Sequence, residues 1–427
     1  MSSAHAADSP ADDLVALHRQ PGFVSFLVAR LAAVFAMQIQ AVVVAWQVYA
    51  MTRDPMSLAY VGLAQFLPMV LLLLPAGDLV DRFPRKRILQ LSWAVQALCS
   101  ALLLGLALAA SERVGAYYAV LALFGSARAF TGPALQSLLP NIVPRAQLAQ
   151  AIALNSAIMK VAVIGGPLLG GILYALGGGS LAYAACLGCF AVALVSLLPV
   201  PIRFVEAAAS LEATAWRRFT AGIDYIRRQP IILGAISLDL FAVLLGGVVA
   251  LLPIYAQEVL HVGPEGLGAL RSAIAVGALL MGIYLGVRGI KRHAGLVMFI
   301  AVAIFGVANL VFAFSTLFWL SLIAMLVAGA ADMISVYVRM TVIQLATPDE
   351  MRGRVNAVNM LFIGSSNELG EFRAGSMAAW LGVVPAAVIG GLGTLAVVGA
   401  WMRLFPTLRQ VDRFDDASRQ GSSQRRD

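Results

Sequence analysis

The sequence predicts an all-α polytopic membrane protein with twelve transmembrane helices. Its 427 residues are 60% hydrophobic and only 12% charged, which leaves too little polar surface for a soluble globule of this length. Each apolar segment has roughly the 20 residues that a helix needs to cross a bilayer. The predicted spans are 22–50, 57–78, 88–110, 115–138, 148–175, 180–200, 231–256, 264–288, 294–313, 316–345, 355–378 and 380–403.

The longest polar interruption divides the chain into two sets of six spans. We predict an N-terminal tail at 1–20, a six-helix bundle at 21–200, a linker at 201–230, a second six-helix bundle at 231–405 and a C-terminal tail at 406–427. Within the linker, residues 208–219 predict an amphipathic helix on the membrane surface, with Leu211, Trp216 and Phe219 towards lipid. A loop packed on protein remains the alternative.

The placement of the cations predicts the topology. Of the 30 Lys and Arg residues, only Arg53 and Arg113 fall in loops on one side of the membrane. Most of the others lie on the opposite side or in the tails, and a few lie inside the spans. The excess of positive charge in cytoplasmic loops then places both termini in the cytoplasm. The net charge of +8 therefore reflects membrane topology and does not indicate nucleic-acid binding.

Several other classes of function lack the residues they require. Cys99, Cys186 and Cys189 all lie in spans, and the four histidines are scattered, so we expect no disulfide, no metal and no cofactor. No nucleophile lies beside a base, so we expect no enzyme activity. A membrane sensor would carry a larger soluble domain than the linker or the tail provides.

The loop after the second span carries the sequence GDLVDRFPRKR at residues 77–87. It resembles the loop signature of the major facilitator superfamily, with Pro84 in place of the usual second glycine. The resemblance implies a cytoplasmic gate that latches the two halves. A charged loop that only follows the topology rule is the alternative. GVRGIKR at 286–292 is a degenerate copy in the second half, as expected for a transporter built from two related bundles. The gate residues are Gly77, Asp78, Asp81, Arg82 and Arg85.

The fifth span carries GGPLLGG at residues 165–171, which is similar to the signature of the superfamily's exporters. Pro167 removes a backbone donor and bends the helix, while Gly166, Gly170 and Gly171 offer a bare surface to a partner helix. The resemblance favours antiport over symport. The alternative is a packing seam with no directional meaning.

The wider sequence resembles the enterobactin-exporter-like branch of the superfamily, most clearly at 128–144, 237–256 and 348–375. The likeness covers both halves. It implies the major facilitator fold, with two pseudo-symmetric bundles in the inner membrane of a bacterium, and small-molecule cargo. That branch includes siderophore exporters and multidrug exporters, and fold alone does not choose between them. We expect a monomer in the lipid bilayer.

Helices one, four, seven and ten line the cavity in this superfamily, and all four are charged here. A charge near the bilayer centre costs about 2.5–3.5 kcal/mol, so such residues predict a functional, water-filled cavity. Helices three, six, nine and twelve carry no charge in their interiors. The predicted cavity or substrate residues are Arg30, Arg128, Lys160, Arg339, Gln38 and Gln40.

Four buried acids in the second half are the candidates for proton coupling. Glu368 and Glu371 share one face of a helix by their spacing of three, and mutual repulsion favours retention of a proton. Asp239 and Asp332 are the other two candidates. The first half contributes only cations, which suggests that cations bind an anionic cargo while acids carry protons. The alternative is that the charges form interhelical ion pairs that fix the packing between the two halves, for instance Arg128 with a carboxylate across the interface.

We therefore predict a proton-coupled exporter, an antiporter of an amphipathic small molecule that works by alternating access. A siderophore is the first choice of cargo. A broad-specificity multidrug exporter is the alternative, and a lipid flippase or an uptake symporter is less favoured.

Overall fold

A computed structural model describes residues 20, 22–201, 215–290 and 292–412 of the chain. These residues contain helices and connecting loops but no strand. We number the long helices α1 to α12. They are α1 Phe23–Thr52, α2 Pro55–Arg82, α3 Arg85–Leu108, α4 Val114–Ile142, α5 148–176, α6 179–197, α7 Pro230–Val259, α8 Gly263–Arg288, α9 Ala294–Phe314, α10 Phe318–Ala346, α11 Asp349–Leu381 and α12 Val383–Leu404.

Twelve helices in the described part of the chain are long enough to span a membrane. In the described part of the chain, nine helical stretches are long and apolar enough to do so by length and composition. One of them, Leu148–Leu197, is 50 residues long and bends at Gly177 and Gly178, so it contains both α5 and α6. The remaining two helices, α4 and α11, are 29 and 33 residues long but are less apolar, because they carry charged side chains that face an internal cavity.

The helices form two bundles, α1 to α6 and α7 to α12. In α1 to α6, Trp93, Tyr117 and Phe190 are fully buried in one continuous cluster. In α7 to α12, buried residues such as Phe312 form a second cluster, which also includes Tyr49 of α1 where the bundles meet. The bundles meet along two helix pairs, α5 with α8 and α2 with α11. This is the six-plus-six arrangement that the apolar segments predict.

Both ends of the described chain lie on the same side of the molecule as the linker, which we call the linker side. Gly22 sits against Pro201, and its added Cβ would lie 2.5 Å from the proline ring. Close to the C-terminal tail, the His293 ring contacts the Asp412 carboxylate at 2.9 Å. We call the opposite side, where α1 joins α2 and α7 joins α8, the far side.

The helix of the linker extends further along the chain than the sequence predicts. It spans Ala215–Arg228, while residues 202–214, including Leu211, lie outside the described residues, as does the side chain of Trp216. Phe219 and Ile226 pack with residues of α7, α10 and α11, and Tyr225 donates to the Ala346 carbonyl at 3.2 Å. The apolar face of this helix therefore packs on the second bundle, and the predicted lipid-facing orientation of Phe219 is wrong.

Candidate functional site

A cavity of about 430 Å³ lies between the two bundles at mid-depth. Helices from both halves form its walls, and polar side chains converge on it from α1, α4, α5, α8 and α11. Glycine and small apolar residues make up much of the remaining surface, including Gly62, Ala250 and Ala278. The charged or amide-bearing lining residues that matter here are Gln38, Arg128, Lys160, Arg271, Glu368 and Glu371.

The two acids of α11 share the cavity with three cations. Glu368 and Glu371 interact electrostatically with each other and with Arg128, and Glu371 also interacts with Arg271. Among the described side chains, no ion pair within 4.0 Å joins either acid to a cation. The acids are thus held near positive charge without being locked into a salt bridge, and they remain accessible from the cavity.

A second charged cluster lies inside the second bundle. Asp239 of α7 forms an ion pair with Arg339 of α10, and their side chains are only 6% and 3% exposed. Asp332, two turns before Arg339 on α10, is half-buried and interacts electrostatically with both members of the pair and with Lys160. This is an interhelical ion pair, but it differs from the pairing between the halves that the sequence leaves open as an alternative. It joins two helices of one bundle, and not the two halves.

Two other predicted cavity residues are bonded elsewhere, and a third lines the cavity. Arg30 donates from Nη1 to Asn155 Oδ1 at 2.9 Å, which joins α1 to α5. Gln40 is buried and accepts a hydrogen bond from Ser100 Oγ at 2.9 Å. Gln38 does line the cavity, next to Gly166. The structure therefore brings Gln38, Arg128 and Lys160 together with the α11 acids, while Arg30, Gln40 and Arg339 are engaged elsewhere.

The glycines of α5 face two different partners. A Cβ on Gly166 would lie 2.5 Å from the side chain of Gln38, and one on Gly170 would lie 3.1 Å from the Ile39 backbone, so both face α1. A Cβ on Gly171 would lie 2.3 Å from the carbonyl oxygen of Pro264, at the start of α8 in the other half. The motif is thus a close-packing surface within the first bundle and also part of the contact between bundles.

The contact between bundles runs from mid-depth to the far side. Ser272 Oγ donates to the Ile164 carbonyl at 2.7 Å between α8 and α5. Nearer the far side, Gln257 Nε2 donates to the Trp46 carbonyl at 3.3 Å. At the far-side end itself, Tyr49 donates to Glu258 Oε1 at 2.5 Å. Close packing and hydrogen bonds therefore seal the far side of the cavity.

The linker side is more open around the predicted gate. The α2–α3 turn is tight, with α2 ending at Arg82 and α3 beginning at Arg85. Among the described atoms, none lies within 4 Å of a Cβ built on Gly77, and the side chains of Asp78 and Arg82 are exposed. The side chain of Asp81 lies outside the described residues. No described helix therefore packs closely against Gly77 in this conformation.

Three residues make contacts in the structure that the sequence does not predict. Arg271 on α8 joins the cavity beside Glu371. Glu258 holds the far-side contact with Tyr49. Arg373 reaches the backbone of α7 from α11. Charge inside a span is a sufficient signal for Arg271 and Arg373, whereas Glu258 falls just beyond the predicted seventh span.

A family model described as transmembrane secretion effector, within the major facilitator superfamily, matches residues 14–425. The chain belongs to this family. The enterobactin exporter EntS of Citrobacter koseri is 26% identical over 410 residues, which cover 94% of this chain and 95% of that protein. EntS of Salmonella typhi is 26% identical over 415 residues, covering 94% and 96%. This member of the superfamily is therefore an enterobactin-exporter-like membrane transporter.

Solved transporter structures share the fold of this family member. A variant of the nucleoside transporter NupG aligns with a TM-score of 0.72 at 12% identity, covering 90% of this chain and 100% of that one. A bacterial homologue of the lysosomal transporter Spinster, in an inward-facing and unoccupied conformation, aligns with a TM-score of 0.68 at 16% identity, covering 94% and 97%. These likenesses extend over both bundles and establish the all-α major facilitator fold.

Proposed function

We propose that this transporter exports an amphipathic small molecule with acidic groups in exchange for protons, and that its cargo is a siderophore. The observation that carries the proposal is the shared cavity, in which the acids of α11 lie near Arg128, Lys160 and Arg271 without a salt bridge to them. The relatives named as enterobactin exporters support the choice of cargo.

The chemistry follows from competition for the acids. Donor groups of an amphipathic cargo, such as hydroxyls, bind Glu368 and Glu371 when these acids are ionised, while Arg128, Lys160 and Arg271 bind its acidic groups. Protonation of the acids removes those acceptors and therefore favours release of the cargo. The low dielectric of the cavity strengthens these interactions relative to water. Cargo and protons thereby compete for the same two carboxylates, which is what an exchange mechanism requires.

The excess of cations on the linker side supports a cytoplasmic location for that side in the inner membrane, with both termini there. A cavity sealed on the far side by the Tyr49–Glu258 contact then represents the inward-facing state. Export requires the far-side contact to open and the α2–α3 turn to close against the second bundle. The two halves would accordingly rock about the cavity, as in other transporters with repeated bundles.

Everted membrane vesicles provide the test, because the inward-facing side is then on the outside. We expect a proton gradient to drive uptake of iron-free enterobactin, and collapse of the gradient or the Glu368→Gln, Glu371→Gln double change to abolish it. The Asp224→Asn variant, on the exposed linker helix, is the matched control and should transport normally. Gradient-independent uptake, or full uptake by the double variant, would contradict proton coupling.

Multidrug efflux is the second candidate, because two acids in the cavity also attract lipophilic cations. The same vesicles discriminate the two functions. Ethidium uptake in the absence of siderophore uptake would favour the multidrug exporter. Siderophore uptake that ethidium does not inhibit would favour the dedicated exporter.

A further inference from the structure

The seventh helix is broken at mid-depth. Its regular part ends at Gly246, Gly247 is extended with ψ of 118°, and the chain resumes as a short 3₁₀ turn at Val249–Leu251. A π-helical turn, Tyr255–Val259, completes the helix. A break inside a membrane frees backbone carbonyls that must find other partners, because no lipid group can satisfy them.

Arg373 of α11 donates hydrogen bonds to backbone carbonyls at the break. Its Nε donates to the Leu244 carbonyl at 2.9 Å, and Nη2 reaches the Gly247 carbonyl at 3.5 Å. Nη1 contacts the Met377 sulfur at 3.2 Å. The planar guanidinium therefore binds one carbonyl before the break and one within it, a geometry that a single ammonium group cannot reproduce.

A second side chain supports the break from a different direction. Asn309 of α9 donates from Nδ2 to the Gly246 carbonyl at 2.9 Å. Asn309 is fully buried within the second bundle and lies on a helix that does not line the cavity. It stabilises the same break without any link to α11, so it offers a natural comparison with Arg373.

The position of Arg373 on its helix connects it to the cavity. Glu371 precedes it by two residues, and at 3.6 residues per turn the two side chains point about 200° apart. Glu371 faces the cavity, where it meets Arg271 of α8, Arg128 of α4 and Glu368 of α11. Arg373 faces α7. A rotation or shift of α11 that follows a change at Glu371 therefore moves the group that holds the break.

The segment after the break leads to the far-side contact. Residues Val249, Ala250 and Pro253 line the cavity, and Glu258 accepts the hydrogen bond from Tyr49 of the other half. Between them, Leu251, Leu252 and Tyr255 are fully buried, so this short segment packs tightly, and tightly packed interiors transmit strain. One end of the segment is thus fixed by Arg373 and the other end closes the far side.

We propose that Arg373 is a positioning residue that couples the charge state of Glu371 to the opening of the far side, through the break in α7. The inference rests on the proposed proton-driven exchange and deepens it. With Glu371 ionised and attracted to Arg271, α11 keeps one position and Arg373 holds the break that precedes the far-side segment of α7. Neutralisation of Glu371 releases α11, and the shift of Arg373 weakens the hold on the segment that carries Glu258.

A double-mutant cycle read by distance measurement tests this coupling. Spin labels on cysteines placed at Glu112 and Leu317, in exposed far-side loops of the two halves, report far-side opening in lipid nanodiscs. The native cysteines are replaced in this background. Glu371→Gln mimics the protonated acid. It should increase the ratio of far-side-open to far-side-closed populations about five-fold or more, as is usual for linked sites.

With Arg373→Met as the second change, we expect the effect of Glu371→Gln to fall below about two-fold, because the link from α11 to α7 is gone. Asn309→Leu should leave the effect of Glu371→Gln in place. An undiminished effect in the Arg373→Met background would overturn the proposal, and so would equal loss in the Asn309→Leu background, since support of the break alone would then explain the result. If Arg373→Met does not insert, Arg373→Lys serves instead, with the same expected loss and the same overturning result.

Transport by the unmodified protein separates this inference from the function on which it rests. If the wild-type protein shows no gradient-driven export of iron-free enterobactin or ethidium, the proposed function fails. If the wild type exports and the Arg373→Met variant exports equally well, only the role of Arg373 fails. We expect the variant to bind cargo with an unchanged Kd but to lose most gradient-driven export.

Discussion

The buried Asp239–Arg339 pair allows the most quantitative prediction. Both side chains are almost fully buried between α7 and α10, with 6% and 3% of their surface exposed. Arg339→Met removes the cation and leaves Asp239 in an apolar interior, with the half-buried Asp332 as a second acid that interacts with it. Breaking a buried pair by removing one partner costs about 3–5 kcal/mol, because an uncompensated charge remains.

Replacing both partners should have a very different result. The Asp239→Leu, Arg339→Met double variant removes both charges of the pair. We therefore expect its free energy of unfolding to equal that of the wild type or to exceed it by up to about 4 kcal/mol. SDS titration in mixed micelles measures the unfolding. The exposed Asp224–Arg228 pair of the linker helix, 60% and 76% exposed, is the control, and Arg228→Met should cost less than about 1 kcal/mol.

Two outcomes would refute this reasoning. One is an Arg339→Met variant within about 1 kcal/mol of wild type, which would mean that water or another group already compensates Asp239. The other is a double variant no more stable than the single one. Transport by the double variant has a separate meaning. Export at the wild-type rate would assign the pair to packing and would remove Asp239 from the candidates for proton coupling.

The remaining predictions concern the two sides of the cavity. Gly171→Val should force the halves apart at the far side, because a Cβ there would lie 2.3 Å from the Pro264 carbonyl, and the spin-label distance across the far side should increase. Gly77→Ala, where no described atom is within 4 Å, should leave the stability of this conformation unchanged in a thermal assay while slowing export if this turn closes during the cycle. Tyr49→Phe removes the hydrogen bond to Glu258. Such a bond to a charged acceptor contributes about 1.5–3 kcal/mol, and less at this partly exposed site, so the far-side-open population should rise several-fold. An unchanged distance distribution would contradict a sealing role.

The sequence already identifies the residues that a polar cavity would use, but it does not say which of them meet. Arg128, Lys160, Glu368 and Glu371 each stand out because a charge within a span is costly. Arg30 and Arg339 stand out for the same reason, yet they bond to Asn155 and Asp239 within their own bundles. Periodicity gives the face of a helix, whereas the rotation and depth of each helix against its neighbours depend on packing across the whole bundle.

The amino-acid sequence by itself determined the number of spans, the six-plus-six division and the family, because hydrophobic length and local motifs are encoded in contiguous residues. Only the tertiary structure decided that the far side is sealed, that Arg271 joins the cavity, and that Arg373 holds the break in α7. Those features arise between residues far apart in the chain. A broken helix also depends on partners from α9 and α11, since the freed carbonyls are tolerated only where other helices satisfy them.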